Sequence, residues 1–143
     1  DVDELNALIG SLLGCGLPAP LAGALGPVQH QLFNLGGGLA MPGESLLEPS
    51  HLTGLEQAVT ALNAELPPLK DFVLPIGPQT VTTAHLARAV CRRAERAVWK
   101  VIEAEPEEPR DAAIYLNRLS DLLFVIARHL ARDANPQETT WQV

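Results

Sequence analysis

Two stretches of this chain, residues 79–105 and 110–135, contain neither glycine nor proline, and each repeats apolar side chains at helical spacing. Two amphipathic rods of this length, joined across a short proline-bounded turn, must bury their apolar faces on each other and on further helices. Composition points the same way. Leucine (24) and alanine (19), the strongest helix formers among apolar residues, make up 43 of the 143 residues, whereas aromatics are 4%. The β-branched and aromatic types that a sheet prefers are scarce. The expected fold class is all-α: an up-and-down five-helix bundle forming a single domain over residues 1–143.

Punctuation along the chain places the five segments. The first runs from about Asp1 to Leu13 and stops at the Gly14-Cys15-Gly16 turn. The second covers roughly Ala19 to Leu35, loosened by Gly23 and Gly26-Pro27, and ends at Gly36-Gly37-Gly38. Residues 36–50 read as a loop. The third covers about Leu52 to Leu66, with Thr53 and Glu56 spaced as a capping box and Pro67-Pro68 as a stop. Lys70 to Pro78 is too rich in proline for a central strand and reads as an extended connection. The fourth helix spans about Pro78 to Ala104 and the fifth about Arg110 to Arg132. The polar tail from Asn135 is expected to be loose.

Charge excludes several function classes. The net charge is −7, and every base lies at Lys70 or later; residues 1–69 carry seven acids and no base. Arg88, Arg92, Arg93, Arg96 and Lys100 cluster within thirteen residues. An acidic chain with one local basic cluster is poorly matched to a nucleic acid, whose affinity rests on a broad positive surface. One small polyanion suits it better. No apolar run approaches the roughly 20 residues needed to cross a bilayer, so no membrane role is expected. Two cysteines, Cys15 and Cys91, make no disulfide framework, and a reducing cytoplasm is the expected compartment. The chain opens on Asp1 rather than Met, so an upstream segment is expected.

The fourth helix carries the chemistry. At 100° per residue, His85, Arg88, Arg92, Glu95 and Arg96 fall within about 100° of one another. Leu86, Ala87, Val90, Ala94, Ala97, Val98 and Val101 take the other side. Periodicity alone leaves three readings: a solvated face, an inter-subunit ion-pair surface, or a phosphate site. Arginine rather than lysine in the row favours the last two, because the guanidinium fork matches phosphate and carboxylate oxygens. On the fifth helix Asn117, Asp121 and Arg128 share a polar face, which would form a crevice if it met the arginine row. The histidines His30, His51, His85 and His129 have no metal-ligand spacing, so no protein-held metal site is expected. Serines lie in no nucleophile elbow, and Cys91 falls on the apolar face as core. Phe72 sits in the proline-bounded connection, either as an anchor on the bundle or against a ligand.

Four strings resemble one known family. They are Asp1-Val2-Asp3-Glu4-Leu5-Asn6-Ala7-Leu8-Ile9-Gly10, Asp71-Phe72-Val73-Leu74-Pro75, His85-Leu86-Ala87-Arg88-Ala89-Val90-Cys91-Arg92-Arg93-Ala94-Glu95-Arg96 and Tyr115-Leu116-Asn117-Arg118-Leu119-Ser120-Asp121. In this order, over nearly the whole chain, they look like ATP:cob(I)alamin adenosyltransferases of the trimeric helical-bundle (PduO) type. The resemblance implies transfer of the 5′-deoxyadenosyl group of ATP to the cobalt of cob(I)alamin with release of triphosphate. It also implies a homotrimer with active sites between subunits, and Mg²⁺ accompanying ATP. By motif position, Arg92, Glu95 and Asn117 would bind ATP, and Arg92 and Phe72 would be the catalytic pair. Phe72 and Asp71 would lie at the corrin, and Arg88 would pair with Asp3 of a neighbouring subunit. The family's Gly- and Thr-rich arm around the ATP phosphates lies upstream of the string that opens at Asp1. A reductase or a cobalamin-dependent enzyme is a partner class that the resemblance leaves open. The alternative reading is a non-catalytic bundle that binds ATP, a corrinoid or an acidic protein through its arginine row.

Overall fold

A computed structural model describes residues 1–41 and 43–142. Among these residues there are six α-helices: α1 (Val2–Gly14), α2 (Ala19–Leu25), α3 (Val28–Ala40), α4 (Pro49–Asn63), α5 (Gln79–Ala104) and α6 (Asp111–Ala134). The all-α class holds, and the two long rods stand where periodicity put them. Among the described residues no helix is long and apolar enough to cross a membrane.

α5 and α6 form the main seam, with α1 against α5, α4 against α6 and α3 on α1. The seam is asymmetric in side-chain size. α5 turns Ala84, Ala87, Cys91, Ala94 and Val98 inward at three- and four-residue spacing, all buried. α6 answers with Leu116, Leu119, Leu122, Leu123 and Ile126, each fully buried. Small residues on one rod let the other approach closely, and each buried leucine contributes roughly 1.5–3 kcal/mol of transfer free energy. Leu5, Ile9 and Leu12 of α1 close the core. α6 is buried around nearly its whole circumference, which makes it the central helix.

The structure corrects the sequence reading at five places. The second expected helix is two, because Pro27 lacks an N–H and its ring crowds the preceding turn. The Gly26 N–H closes α2 on Ala22 O at 2.8 Å. α3 then runs through Gly36-Gly37-Gly38 instead of ending there. Residues 44–46 fold back across that turn, and a Cβ on Gly38 would lie 3.2 Å from Glu44 O. Here the glycines permit a close approach rather than stop a helix.

α4 starts at Pro49, ahead of the expected capping box. The Glu48 N–H donates to His51 Nδ1 at 3.1 Å, and Pro49 supplies the preset first turn. Thr53 instead donates to Pro49 O inside the helix, and Glu56 pairs with Arg118. On α5, Leu86 is 53% exposed while His85 is buried, the reverse of their expected sides. The Phe124 ring of α6 stands edge-on to His85, with centroids 6.4 Å apart, and covers it.

The fifth correction concerns the tail. Residues 138–141 fold back along the 72–74 connection: Val73 and Thr140 form an isolated antiparallel bridge. The Leu74 N–H donates to Thr139 O at 3.0 Å and the Trp141 N–H to Phe72 O at 2.7 Å. The tail is held because Glu138 pairs with Arg128, their side chains 5% and 4% exposed.

Candidate active site

The arginine row of α5 divides into residues with different electrostatics. Arg92 is exposed and, among the described residues, makes no ion pair or side-chain hydrogen bond. Arg88, one turn earlier, is half-buried, and its Nε donates to His85 Nδ1 at 3.4 Å. Burial, and then the charge of Arg92, lower the Arg88 pKa from its ordinary value. An anion between the two would offset the repulsion between their charges. Arg93, which points off the row, pairs with Asp1 at 3.2 Å and with Glu4, tying α5 to the start of the chain.

One turn beyond Arg92, Glu95 is partly buried and accepts from Trp99 Nε1 at 3.2 Å and Asn117 Nδ2 at 3.4 Å. Glu95 of α5 and Asn117 of α6 therefore meet across the α5–α6 seam as a small polar cluster, with Arg92 one turn earlier on the same face of α5. Arg128 does not belong to this cluster. It lies three turns further along α6 and is committed to Glu138. Asp121, one turn beyond Asn117 on α6, pairs with Arg118 at 3.3 Å. Cys91 is buried and donates to Leu116 O at 3.1 Å, and burial raises its thiol pKa far above the ordinary range. It is core, not a nucleophile.

Two clefts lie beside α5, the first on the side of the row and the second on the helix's apolar side. One, of about 510 Å³, is lined by Asp71, Phe72, His85, Arg88, Phe124 and Trp141, among others. Phe72 stands 77% exposed at its mouth, with the Trp141 ring 6.3 Å away. The other, of about 590 Å³, lies between α1, α3 and α5 and includes Asp3, Asn6, Phe33, Ala97 and Val101. Arg88 and Asp3 thus sit on different clefts of one chain, and neither has an ion-pair partner among the described residues. No group of three metal-ligating side chains occurs among the described residues.

Sequence reasoning missed Trp141 and Phe124 as lining and Glu138 as a buried charge. Trp141 carried a faint signal, a large aromatic in an otherwise polar tail. Glu138 carried none, since its partner is met only in three dimensions.

The chain is similar to known proteins over its whole length. The family model described as cobalamin adenosyltransferase matches residues 1–130. The cobalamin adenosyltransferase of Cupriavidus metallidurans is 48% identical, over 99% of this chain and 77% of its own. The corrinoid adenosyltransferase of Mycobacterium tuberculosis is 42% identical, with the same two coverages of 99% and 77%. Among solved structures, a phenylalanine-to-histidine variant of the PduO-type ATP:corrinoid adenosyltransferase of Lactobacillus reuteri, complexed with cobalamin and ATP, superposes with a TM-score of 0.84. It is 30% identical, covering 99% of this chain and 80% of that one. An arginine-to-lysine variant of the Lactobacillus reuteri enzyme, complexed with ATP, gives 0.85 at 29% identity, covering 99% and 83%. With six helices in this order, an arginine row beside an exposed aromatic, and a family match over most of its length, the chain belongs to the cobalamin adenosyltransferase family.

Proposed function

We propose that this chain transfers the 5′-deoxyadenosyl group of ATP to the cobalt of cob(I)alamin, with the α5 arginine row holding the triphosphate and Phe72 facing the corrin. The observation that carries the assignment of roles is Arg92. Among the described residues it is an unpaired guanidinium, one turn from Arg88 and one turn from the Glu95–Asn117 pair.

The chemistry asks little covalent work of the protein. Co(I) of the substrate is the nucleophile: its electron pair forms the Co–C5′ bond, and the C5′–O bond breaks with its pair passing to triphosphate. No serine, cysteine or histidine nucleophile is required. The protein positions C5′ against cobalt and stabilises negative charge growing on the leaving group. Arg92 is free to present its fork of donors to that charge. Asn117 and Glu95, hydrogen-bonded to each other across the seam, offer a fixed polar edge to the nucleotide. Phe72, on its exposed connection, fills the space below the corrin in place of the lower axial ligand. That favours the four-coordinate state from which Co(II) is reduced.

Mg²⁺ enters as the companion of the triphosphate, whose charge it neutralises. The lone partly buried carboxylate of Glu95 beside the row is the kind of donor set that suits an ion mostly coordinated by phosphate and water. The working unit in this proposal is a homotrimer in which Asp3 of one subunit pairs with Arg88 of the next. Both residues lack an ion-pair partner among the described residues, and the cleft bearing Asp3 also exposes Phe33 (73%) and Val101 (43%). A cytoplasmic location fits two free thiols, Cys15 and Cys91. A reductase supplying Co(I) or a cobalamin-dependent enzyme taking the product is the partner class compatible with this chemistry.

The test is direct. The protein, ATP and Mg²⁺ are mixed anaerobically with chemically reduced cobalamin, and the visible spectrum and triphosphate are followed. A light-sensitive adenosylated product formed in step with triphosphate is expected. Neither appearing above the protein-free rate would overturn the reading and leave a binding protein.

A further inference from the structure

The Phe72 side chain is 77% exposed, so packing into the core does not set its position. Its main chain does. The Phe72 carbonyl accepts from the Trp141 N–H at 2.7 Å, and the Leu74 N–H donates to Thr139 O at 3.0 Å. These bonds flank the Val73–Thr140 bridge, and the Phe72 and Trp141 rings meet at 6.3 Å. A ladder this short does not persist in water by itself. Something must hold the tail against the connection.

That anchor is one residue before the ladder. Arg128 of α6 grips Glu138 with both prongs, Nε to Oε2 at 3.0 Å and Nη2 to Oε1 at 2.8 Å. Arg132 adds a longer contact at 3.5 Å. The same Arg128 Nη2 donates to Pro67 O at 2.8 Å, at the point where the chain leaves α4 towards Phe72. One buried guanidinium on the central helix therefore ties down both the start of the connection and the tail that straps it. A two-pronged pair whose Nη2 also donates to a backbone carbonyl is the geometry in which a buried ion pair holds.

We propose that Arg128 and Glu138 are positioning residues for the reaction: they latch residues 138–141 as a strap that fixes the Phe72 connection over the corrin-side cleft. The proposal rests on the reading of Phe72 given above, and its test separates the two.

The experiment uses the full chain with Glu138→Gln, which keeps shape but removes the charge, and Glu138→Ala, which removes the grip. Hydrogen exchange is read at the amides of Leu74 and Trp141, and the four-coordinate Co(II) signal is measured with cob(II)alamin and ATP. At least tenfold faster exchange at both amides is expected, with α5 and α6 protection unchanged. The four-coordinate signal should fall at least fivefold while the KM for ATP stays within twofold. Unchanged exchange at Leu74 and Trp141 would overturn the latch. Faster exchange with an undiminished Co(II) signal would overturn the positioning role. So would faster exchange spread equally through α5 and α6, which would make the pair ordinary scaffold. Phe72→Ala is the control: if it too leaves the signal intact, the reading of Phe72 has failed, and the exchange result alone decides the latch.

Discussion

Replacing Arg92 with alanine removes a group the folded chain does not use. The side chain is exposed and unpaired among the described residues, so its loss should change folding stability by no more than about 0.5 kcal/mol. Its loss should be felt in the transition state, where charge collects on the departing triphosphate. Removing one preorganised donor at a developing charge costs roughly 2–4 kcal/mol. At 1.36 kcal/mol per factor of ten, that is a fall of about 30- to 900-fold in kcat/KM. Arg92→Lys keeps the charge and loses the planar fork, and should fall between wild type and alanine. The assay is anaerobic turnover with chemically reduced cobalamin, triphosphate release read in parallel, and a thermal melt of each variant. Wild-type kinetics in Arg92→Ala would remove the residue from the mechanism. A Tm lowered by many degrees would refute the argument differently, by showing that the guanidinium serves the fold.

Three further outcomes follow from the geometry. Phe72→Ala should depress turnover from cob(II)alamin and the four-coordinate signal well beyond any change in ATP affinity, with Tm nearly unmoved; equal turnover would remove Phe72 from the reaction. Asp3→Asn should weaken assembly or alter ATP binding, since half-buried Arg88 would lose its expected counter-charge; gel filtration and nucleotide titration matching wild type would count against the inter-subunit pair. Burial, then the charge of Arg88, lower the pKa of His85, so below about pH 6.5 the unfolded chain takes up a proton that the folded chain resists. Stability should therefore fall as pH drops through that range, and His85→Asn should flatten the fall; urea midpoints at pH 7.5 and 5.5 showing equal losses in both proteins would contradict this.

Much of the fold was legible because its strongest signals are local. α5 and α6 announce themselves through uninterrupted 3.6-residue periodicity, and proline on either side bounds them. The meeting of Glu95 and Asn117 was legible in part, since helix faces put the first in the α5 row and the second on the polar face of α6. The errors share a cause. Gly36-Gly37-Gly38 has the composition of a stop, yet the chain passing over Gly38 turns it into a packing surface. Arg128 shares a face with Asn117 on a helical wheel, but the two are separated by three turns, and the tail reaches only the later one.

Helix content, the long amphipathic seam and the clustering of arginine along one face of α5 were decided by the order of residues, since each depends on neighbours within a turn or two. Only the folded chain decided that His85 lies under Phe124, that Glu138 is a buried charge, and that the tail straps the Phe72 connection. A helical period says which side chains share a face; what comes to cover that face depends on segments far away in the sequence.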